Sequence, residues 1–456
     1  MTFKEVVAEL DATEKFGTNP SLNTIRKICR RLNNPQKDYS TIHVVGTNGK
    51  TSTARMISSI LTHLGYKTGC YISPHTYSYI ERIAVDNKYV SEDDFALYYE
   101  KIKPIVNELN NSPEVEVVTH FEILTSMAFL YFSRNRCDFV VLEAGMGGRW
   151  DATNLADSKV AVLTNVTKEH TRYLGDTIYK IAVEKAEVIK NKSNVVTGSS
   201  DIDVLKVLNK KCKEKDAKLY QFEKDFFIKN CQRKNNHRLA YVKGIYNDYS
   251  NIKINTISKY QCENAAMAIT TTELFLERNL IKSKFIKNIM KSELLENSLL
   301  PVDFRGRLEI VAKSPTIVLD GSHNPGAMKK LVSEIKDNFK YGKFHLIFAC
   351  FRDKDSERML KIIWPILNNL DNLIITESES YRRTPYEKLY EISKDVEKEM
   401  RSDPLKEYKK VKIYKKDSIS KSVDLALKLA NKNDFICICG SFSNLPLAKK
   451  ALNIKF

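Results

Sequence analysis

The chain lacks the features of a membrane-spanning, exported or zinc-finger protein. No apolar run in its 456 residues approaches the ~18–20 residues that a bilayer-spanning helix needs. Its start reads as an amphipathic helix with acidic side chains, without the apolar stretch of a signal peptide. The nine cysteines are an odd number and include no Cys-x-x-Cys pair. We therefore expect a cytoplasmic protein, and we expect Cys437 and Cys439, which alternate in an apolar segment, to be buried free thiols.

Acidic residues are too few to balance the basic ones. The 56 aspartates and glutamates face 73 lysines and arginines, which gives a net charge of +17. Such a field attracts anions, whether nucleic acids or small phosphorylated and carboxylated substrates. No aromatic-plus-basic RNA motif is present. We therefore expect small-molecule substrates, no nucleic-acid partner and no membrane partner, and a nucleotide-dependent switch that binds nucleic acid is kept as an alternative.

Strand and helix patterns alternate along most of the chain, which predicts an α/β fold with parallel sheets. Residues 218–256 instead show short β-prone pieces, which predict a small antiparallel appendage. From about residue 308 a second alternating series begins. The prediction is a P-loop parallel-sheet ATPase domain over residues 1–300, followed by a smaller Rossmann-like α/β domain over residues 301–456. The strands predicted in the first domain are 42–45, 69–72, 138–143, 160–166 and 194–197; those in the second are 316–320, 344–349, 372–376, 411–414 and 434–439.

A phosphate-binding loop is predicted at residues 42–53, which read Ile-His-Val-Val-Gly-Thr-Asn-Gly-Lys-Thr-Ser-Thr. An apolar strand here runs into a glycine turn, and Lys50 and Thr51 open a helix. Backbone N–H groups at the helix start point at an anion, the lysine supplies a charge, and the hydroxyl can hold Mg²⁺. The spacing departs from the general P-loop, because only two residues separate Gly46 from Gly49.

Several polar residues follow predicted strands, where an open parallel sheet binds its ligand. Glu143 follows Val-Val-Leu and suits a magnesium role, although a turn acid would look the same. His170 follows the strand 160–166 and could equally be a structural histidine. Lys185 lies in a helical pattern in which a surface ion pair is the simpler interpretation. Asp320 and His323 lie in a tight loop that suits ribose or phosphate contacts or is a plain turn.

Together these segments resemble the folylpolyglutamate synthase and dihydrofolate synthase family within the Mur ligase superfamily. The resemblance covers nearly the whole chain, and the two-residue P-loop spacing is typical of that superfamily. The blocks Ser-Pro-His…Glu-Arg-Ile (73–83) and Gly-Gly-Arg-Trp-Asp-Ala-Thr-Asn (147–154) favour the folate branch. The other matching blocks are Gly-Thr-Asn-Gly-Lys-Thr-Ser (46–52), Phe-Glu-Ile-Leu-Thr (121–125), Glu-Lys-Ala (184–186) and Asp-Gly-Ser-His-Asn-Pro (320–325).

The resemblance implies an ATP-dependent ligase that joins L-glutamate to dihydropteroate, to folate polyglutamates, or to both, through an acyl phosphate. It implies ATP as co-substrate and two Mg²⁺ ions, and the family's matching lysine, here Lys185, can be carbamylated by CO₂. The implied catalytic residues are Lys50, His170, Lys185 and His323. Those implied to bind ATP are Asn48, Gly49, Lys50, Thr51, Ser52, Asn264, Arg307 and Asp320. Those implied to bind metal are Thr51, Ser73, Glu143, His170 and Lys185, and those implied to bind folate are Arg82, Thr119, His120, Phe121, Glu122 and Asp151.

Four positions depart from the family's usual residues: Thr51, Ser78, Glu169 and Arg305. A Mur-type ligase that adds another amino acid to a different carboxylate therefore stays open as the second interpretation. We expect a monomer, and we favour an enzyme with both folate activities.

Overall fold

The protein forms two compact units, Met1–Asp303 and Phe304–Phe456. A computed structural model describes residues 1–13, 17, 20–112, 117–279, 283–402, 408 and 410–454. Within that part of the chain, no helix combines the length and apolar character needed to cross a membrane. Both units are α/β with mostly parallel sheets, which confirms the predicted fold class.

The first unit is built on an eight-stranded sheet in the order β4-β3-β2-β5-β1-β6-β7-β8. Six neighbouring strands are mutually parallel: β2, β5, β1, β6, β7 and β8. The short strands β3 and β4 form an antiparallel edge. The inner strands β5, β6 and β7 are mainly apolar and buried, as expected for strands covered on both faces, whereas the edge strand β8 is only partly buried. The strands are β1 (Ser40–Val45), β2 (Thr68–Tyr71), β3 (Ile83–Val85), β4 (Lys88–Tyr89), β5 (Phe139–Glu143), β6 (Ser158–Leu163), β7 (Asn194–Thr197) and β8 (Lys218–Gln221).

Helices cover both faces of this sheet. Phe139 of β5 packs edge-on against Phe275 of α9, with ring centroids 5.0 Å apart. The neighbouring Val140 and Leu142 point to the other face, into a core shared with α1, α2, α4 and α5. The helices of this unit are α1 (Phe3–Thr13), α2 (Asn23–Arg31), α3 (Lys50–His63), α4 (Glu92–Asn110), α5 (His120–Arg134), α6 (Thr171–Leu174), α7 (Ile178–Ala186), α8 (Ile202–Glu214), α9 (Tyr260–Asn279), α10 (Ser283–Ile289) and α11 (Ser292–Leu295).

The antiparallel appendage is smaller than predicted. Its sheet has the order β11-β10-β9 and contains β9 (Phe227–Lys234), β10 (His237–Lys243) and β11 (Asp248–Ile254). Residues 218–221 were predicted to belong to it, but they form β8 of the large sheet. The helix α8 between β7 and β8 makes a crossover, so β8 returns parallel to β7.

The second unit has a six-stranded sheet in the order β12-β13-β17-β14-β15-β16, parallel except for the edge strand β12. Asn324 caps α12 through its side chain and Pro325 takes the first helical position, which fixes the loop that carries Asp320 and His323. The elements are β12 (Glu309–Lys313), β13 (Thr316–Leu319), α12 (Pro325–Asn338), β14 (Phe344–Phe348), α13 (Ser356–Ile363), β15 (Leu370–Ile375), α14 (Tyr386–Arg401), β16 (Lys412–Lys415), α15 (Ile419–Leu429), β17 (Phe435–Cys439) and α16 (Asn444–Ala451).

Eight of the nine cysteines are buried, and Cys231 is partly exposed. Cys437 and Cys439 are free and fully buried in β17, as predicted. The structure joins Cys231 of β9 to Cys262 of α9 as a disulfide, a pairing that the spacing of the cysteines did not predict.

Candidate functional site

The phosphate loop joins β1 to α3 and needs its two glycines for different reasons. Gly49 precedes α3 with a φ of +88°, a conformation that side chains disfavour. Gly46 has a φ of +147°, and a Cβ there would lie 1.9 Å from the Thr164 hydroxyl oxygen. The loop is therefore pressed directly against the end of β6. At its other end the loop runs into the start of α3. Backbone N–H groups at a helix start bind anions, so this end of the loop suits a phosphate.

Side chains that follow β6 hold the loop in shape. Asn165 accepts from the Asn48 N–H at 3.0 Å and donates from its amide to the Asn48 carbonyl, also at 3.0 Å. The Thr164 hydroxyl donates to the same carbonyl at 2.7 Å. Lys50 curls back, and its Nζ donates to the Thr47 carbonyl at 3.2 Å. Sequence reasoning missed Thr164 and Asn165 because the predicted strand 160–166 included both, whereas β6 ends at Leu163.

Glu143, at the end of β5, links two predicted metal ligands. Its Oε1 accepts from the Thr51 hydroxyl at 3.0 Å, and its Oε2 accepts from the Ser73 N–H at 3.1 Å. The carboxylate is buried on the face of the sheet that carries α3. Three of the predicted metal residues therefore meet at one sheet edge, and the Thr51 that departs from the usual family residue takes part directly.

Lys185 of α7 is a buried amine beside the phosphate loop, not a surface residue. Its Nζ donates to the Gly46 carbonyl at 2.8 Å. Burial and, next, the charge of Lys50 lower the pKa of Lys185 to about 7, and Glu169 acts in the opposite direction. Glu169 also lies near His170, with 3.9 Å between Oε1 and Nε2. His170 itself starts α6 with a φ of +51°.

Two buried amides of α9 connect to the start of α3. Gln261 donates from Nε2 to the Ser52 hydroxyl oxygen at 3.1 Å, and its Oε1 accepts from Asn264 at 2.7 Å. A Cβ on Gly49 would lie 2.7 Å from the Asn264 Oδ1. The structure thus brings Asn264 to the phosphate loop, and it adds Gln261, which the sequence reasoning did not select.

The Ser73–Arg82 segment is organised by internal contacts. The Arg82 Nε donates to His75 Nδ1 at 2.9 Å, and the guanidinium lies 5.3 Å from the centre of the Tyr79 ring. Burial and the Arg82 charge hold the pKa of His75 well below its usual range, so the ring is neutral. Glu81 accepts from the N–H groups of residues 76, 77 and 78, which closes the turn that contains Ser78.

The start of α5 presents a histidine and an aromatic ring. Thr119 and Glu122 form a capping box, in which the Glu122 Oε2 accepts from the Thr119 N–H at 2.9 Å. His120 Nδ1 lies 3.0 Å from the Leu10 carbonyl, and burial followed by the Arg82 charge lowers its pKa to about 4. Phe121 lies against Gly145, where a Cβ would be only 2.8 Å from the ring.

Asp151 is a buried carboxylate on the loop after β5, held by several donors. Its Oδ2 accepts from the Met146 N–H at 2.9 Å, and its Oδ1 accepts from the Thr153 N–H at 3.0 Å and from the Thr153 hydroxyl. Burial raises the pKa of Asp151, and these donors act in the opposite direction. The Thr153 hydroxyl oxygen also contacts His43 Nε2 of β1 at 2.7 Å.

The second unit brings together its own three predicted residues. Asp320 accepts from the Leu308 N–H at 2.8 Å and from the Ser322 N–H at 2.8 Å, and burial raises its pKa. The Arg307 guanidinium lies 4.2 Å from the centre of the Phe442 ring, and the His323 ring lies 5.8 Å from the same ring. Phe442 is therefore the shared neighbour, and the sequence reasoning missed it.

A magnesium ion fits the donors at Glu143. Mg²⁺ prefers hard oxygen ligands and is commonly bound by one or two carboxylates together with substrate phosphates. Among the described residues no group of three or more His, Cys, Asp and Glu side chains could hold a metal by itself. One carboxylate in contact with the Thr51 hydroxyl, beside a phosphate loop, is therefore a site that the nucleotide would complete.

Comparison with known families gives the class of the protein. Residues 44–272 match the Mur ligase middle domain, and residues 306–442 match the glutamate ligase domain of Mur ligases. With the phosphate loop, these matches define an ATP-dependent ligase.

Individual relatives identify the family within this class of ligases. The Bacillus subtilis protein named dihydrofolate synthase/folylpolyglutamate synthase is 31% identical over 392 residues, which are 86% of this chain and 88% of that protein. The structure of Mycobacterium tuberculosis folylpolyglutamate synthase complexed with ADP and AMPPCP aligns with a TM-score of 0.88 at 28% identity, covering 99% and 98% of the two chains. That of Thermotoga maritima folylpolyglutamate synthase aligns with a TM-score of 0.79 at 30% identity, covering 99% and 96%. The chain belongs to the dihydrofolate synthase/folylpolyglutamate synthase family.

Proposed function

We propose that this chain joins L-glutamate to dihydropteroate, to tetrahydrofolate polyglutamates, or to both. ATP phosphorylates the acceptor carboxylate, the glutamate amine attacks the acyl phosphate, and an amide, ADP and phosphate result. The observation that carries the proposal is the meeting, at one sheet edge, of the phosphate loop with Glu143 and Lys185, in a family of folate ligases.

The phosphate loop would hold the ATP. The N–H groups at the start of α3 and the Lys50 ammonium face negative charge, which grows on the transferred phosphoryl group during the reaction. Hydrogen bonds through Gln261 connect Ser52 of the phosphate loop to Asn264, which would bind the adenine base. This network would hold the base-binding residue in a fixed position relative to the loop. Asn48 fixes the loop backbone through Asn165.

Thr51, Ser73 and Glu143 would hold one Mg²⁺. Such an ion neutralises phosphate oxygens and helps to orient the transferred group. A second ion would need an oxygen ligand near His170 and Lys185. The low pKa of Lys185 leaves part of the amine unprotonated near neutral pH, and a neutral amine can add to CO₂, forming an N–C bond and releasing a proton. The resulting carbamate would supply that oxygen.

The remaining sites would recognise the other ligand parts. Arg307 and Asp320 of the second unit suit the nucleoside, and His323 suits phosphate. Phe121 offers an aromatic face for a pterin ring, and Asp151 offers an acceptor for its amino-pyrimidine edge. Arg82, held by its hydrogen bond to His75, suits an anionic part of the acceptor. Thr119, His120 and Glu122 at the start of α5 would also contact the folate. Glu122 accepts the Thr119 N–H and so stabilises this helix start.

The test is phosphate release by the purified chain with ATP, Mg²⁺ and L-glutamate, comparing dihydropteroate with tetrahydrofolate. We expect release with at least one of the two, a product heavier by one glutamyl residue, and loss of both signals in Lys50→Ala with an unchanged circular dichroism spectrum. Turnover with a muramyl precursor but with neither pterin substrate would instead support the Mur-type alternative. Full turnover in Lys50→Ala would show that the phosphate loop is wrongly assigned.

A cytoplasmic monomer without nucleic-acid or membrane partners completes the proposal. Size-exclusion chromatography with light scattering checks the oligomeric state. Salt-dependent nucleic-acid binding without ligase activity would contradict the proposed function.

A further inference from the structure

A histidine in the middle of a buried strand needs a reason, because an apolar residue would fill the same space without a polar group to satisfy. His43 is such a residue: it lies on β1, three residues before Gly46, and its side chain has no exposed surface. Its Nε2 lies 2.7 Å from the hydroxyl oxygen of Thr153, which is 110 residues away along the chain. The contact joins the strand that leads into the phosphate loop to the loop that carries Asp151.

The direction of each hydrogen bond follows from the groups present. An ionised carboxylate only accepts, so the Thr153 hydroxyl proton is directed to the Asp151 Oδ1. With that proton committed, the Thr153 oxygen can only accept from His43, which must carry its proton on Nε2. Burial lowers the pKa of His43 to about 3, so the ring is neutral and its Nδ1 carries no proton. His43, Thr153 and Asp151 therefore form a one-way chain of donors that ends on the carboxylate.

This chain of donors occupies one oxygen of Asp151. Oδ1 accepts from both the N–H and the hydroxyl of Thr153, whereas Oδ2 accepts the Met146 N–H. A carboxylate has about four acceptor positions, and three take the donors above. A ligand donor would share the fourth with the Gly145 N–H, which also acts to lower the pKa of Asp151. The donors on Oδ1 also fix the rotation of the carboxylate, which sets the direction of Oδ2.

We infer that His43 and Thr153 are positioning residues for recognition of the pterin end of the acceptor, acting through Asp151. The inference rests on the proposed function, in which Asp151 accepts from the amino-pyrimidine edge. His43 and Thr153 touch no reacting atom in this account. They determine how well the acceptor substrate binds, and leave ATP binding and the rate of the chemical step unchanged.

The test is steady-state kinetics of Thr153→Val, which keeps the shape of the side chain and removes the hydroxyl. We expect KM for the pterin substrate to rise about 10- to 100-fold, because Asp151 loses the hydrogen bond from the Thr153 hydroxyl that fixes its carboxylate. The KM for ATP and kcat should stay within about twofold, because the lost interaction contributes equally to ground state and transition state. Thr153→Ser should restore the KM. The pterin substrate is dihydropteroate or tetrahydrofolate, whichever the chain uses.

A second pair of variants addresses the histidine, and a matched change controls for the loss of a buried hydroxyl. His43→Leu should raise the same KM, and His43→Gln, whose amide can still donate to Thr153, should recover part of the loss. Thr271 is fully buried in α9, and its hydroxyl has no hydrogen-bond partner among the described residues. Thr271→Val should therefore behave as the unmodified chain.

Asp151→Asn separates the two ways in which the experiment can fail. If Asp151→Asn leaves KM for the pterin substrate unchanged, the assignment of Asp151 in the proposed function is wrong, and the positioning role is wrong with it. If Asp151→Asn raises that KM while Thr153→Val and His43→Leu do not, the proposed function stands and the positioning inference is overturned. An equal rise in both KM values would also overturn it, since that result indicates general damage to the fold.

Discussion

Replacing Gly46 by alanine should severely weaken ATP binding, because the phosphate loop has no space for a methyl group there. The new Cβ would lie 1.9 Å from the Thr164 hydroxyl oxygen and 3.2 Å from the Asn165 carbonyl oxygen. Thr164 must then rotate and lose its 2.7 Å hydrogen bond to the Asn48 carbonyl. That loss costs about 0.5–1.5 kcal/mol. The φ of +147° costs an alanine a further ~1–3 kcal/mol.

The two costs together are about 1.5–4.5 kcal/mol, which corresponds to an ATP dissociation constant raised about 12- to 1,600-fold if the loop relaxes out of its binding shape. Isothermal titration calorimetry measures this constant, and thermal denaturation shows whether the fold persists. Gly65→Ala is the matched control. Gly65 follows α3 with a φ of +91°, and a Cβ there meets no described atom within 4 Å. ATP affinity in Gly46→Ala equal to that in Gly65→Ala would refute the reasoning.

Two further predictions concern residues outside the phosphate loop. Arg55 of α3 donates to the Asp303 carbonyl at 2.7 Å and lies 3.9 Å from the Glu81 and Asp303 carboxylates, so Arg55→Leu should lower the free energy of unfolding by about 2–4 kcal/mol in urea titrations. An unchanged urea midpoint would contradict this.

Glu273 of α9 is fully buried, and burial raises its pKa from the ordinary 4.5 to about 7. Because the folded pKa is the higher one, its stabilising contribution is complete below pH 4.5 and is lost as the pH rises through about 7. The unmodified chain should therefore lose about 3 kcal/mol relative to Glu273→Gln between pH 4 and pH 8, and a pH-independent difference would be evidence against a buried titrating carboxylate.

The alternation of strands and helices was predictable because the inner parallel strands, such as β5 and β17, are apolar runs. The end of β5 at Glu143 was predicted correctly for this reason. The same rule about strand ends selected Glu143. It missed Asn165 because the predicted strand 160–166 extended past the true end of β6 at Leu163.

Contacts between distant segments were not predictable from local patterns. Lys185 looked like a surface lysine at helical spacing, and only the packing of α7 against the phosphate loop shows it to be buried. His43 looked like part of an apolar strand, since its partner Thr153 lies far along the chain. The β-prone residues 218–221 carry no signal for which sheet they join, because that depends on the crossover through α8.

The acyl-phosphate reaction is the central claim, and oxygen-isotope transfer tests it most directly. The acceptor substrate is prepared with ¹⁸O in the carboxylate that receives glutamate, and the phosphate released during turnover is analysed by mass spectrometry. Transfer of the phosphoryl group to that carboxylate, followed by attack of the glutamate amine on carbon, leaves one carboxylate oxygen on the phosphate. An acyl-phosphate intermediate therefore predicts one ¹⁸O atom in each phosphate released. Phosphate without the label, formed at the same rate as the glutamylated product, would contradict it.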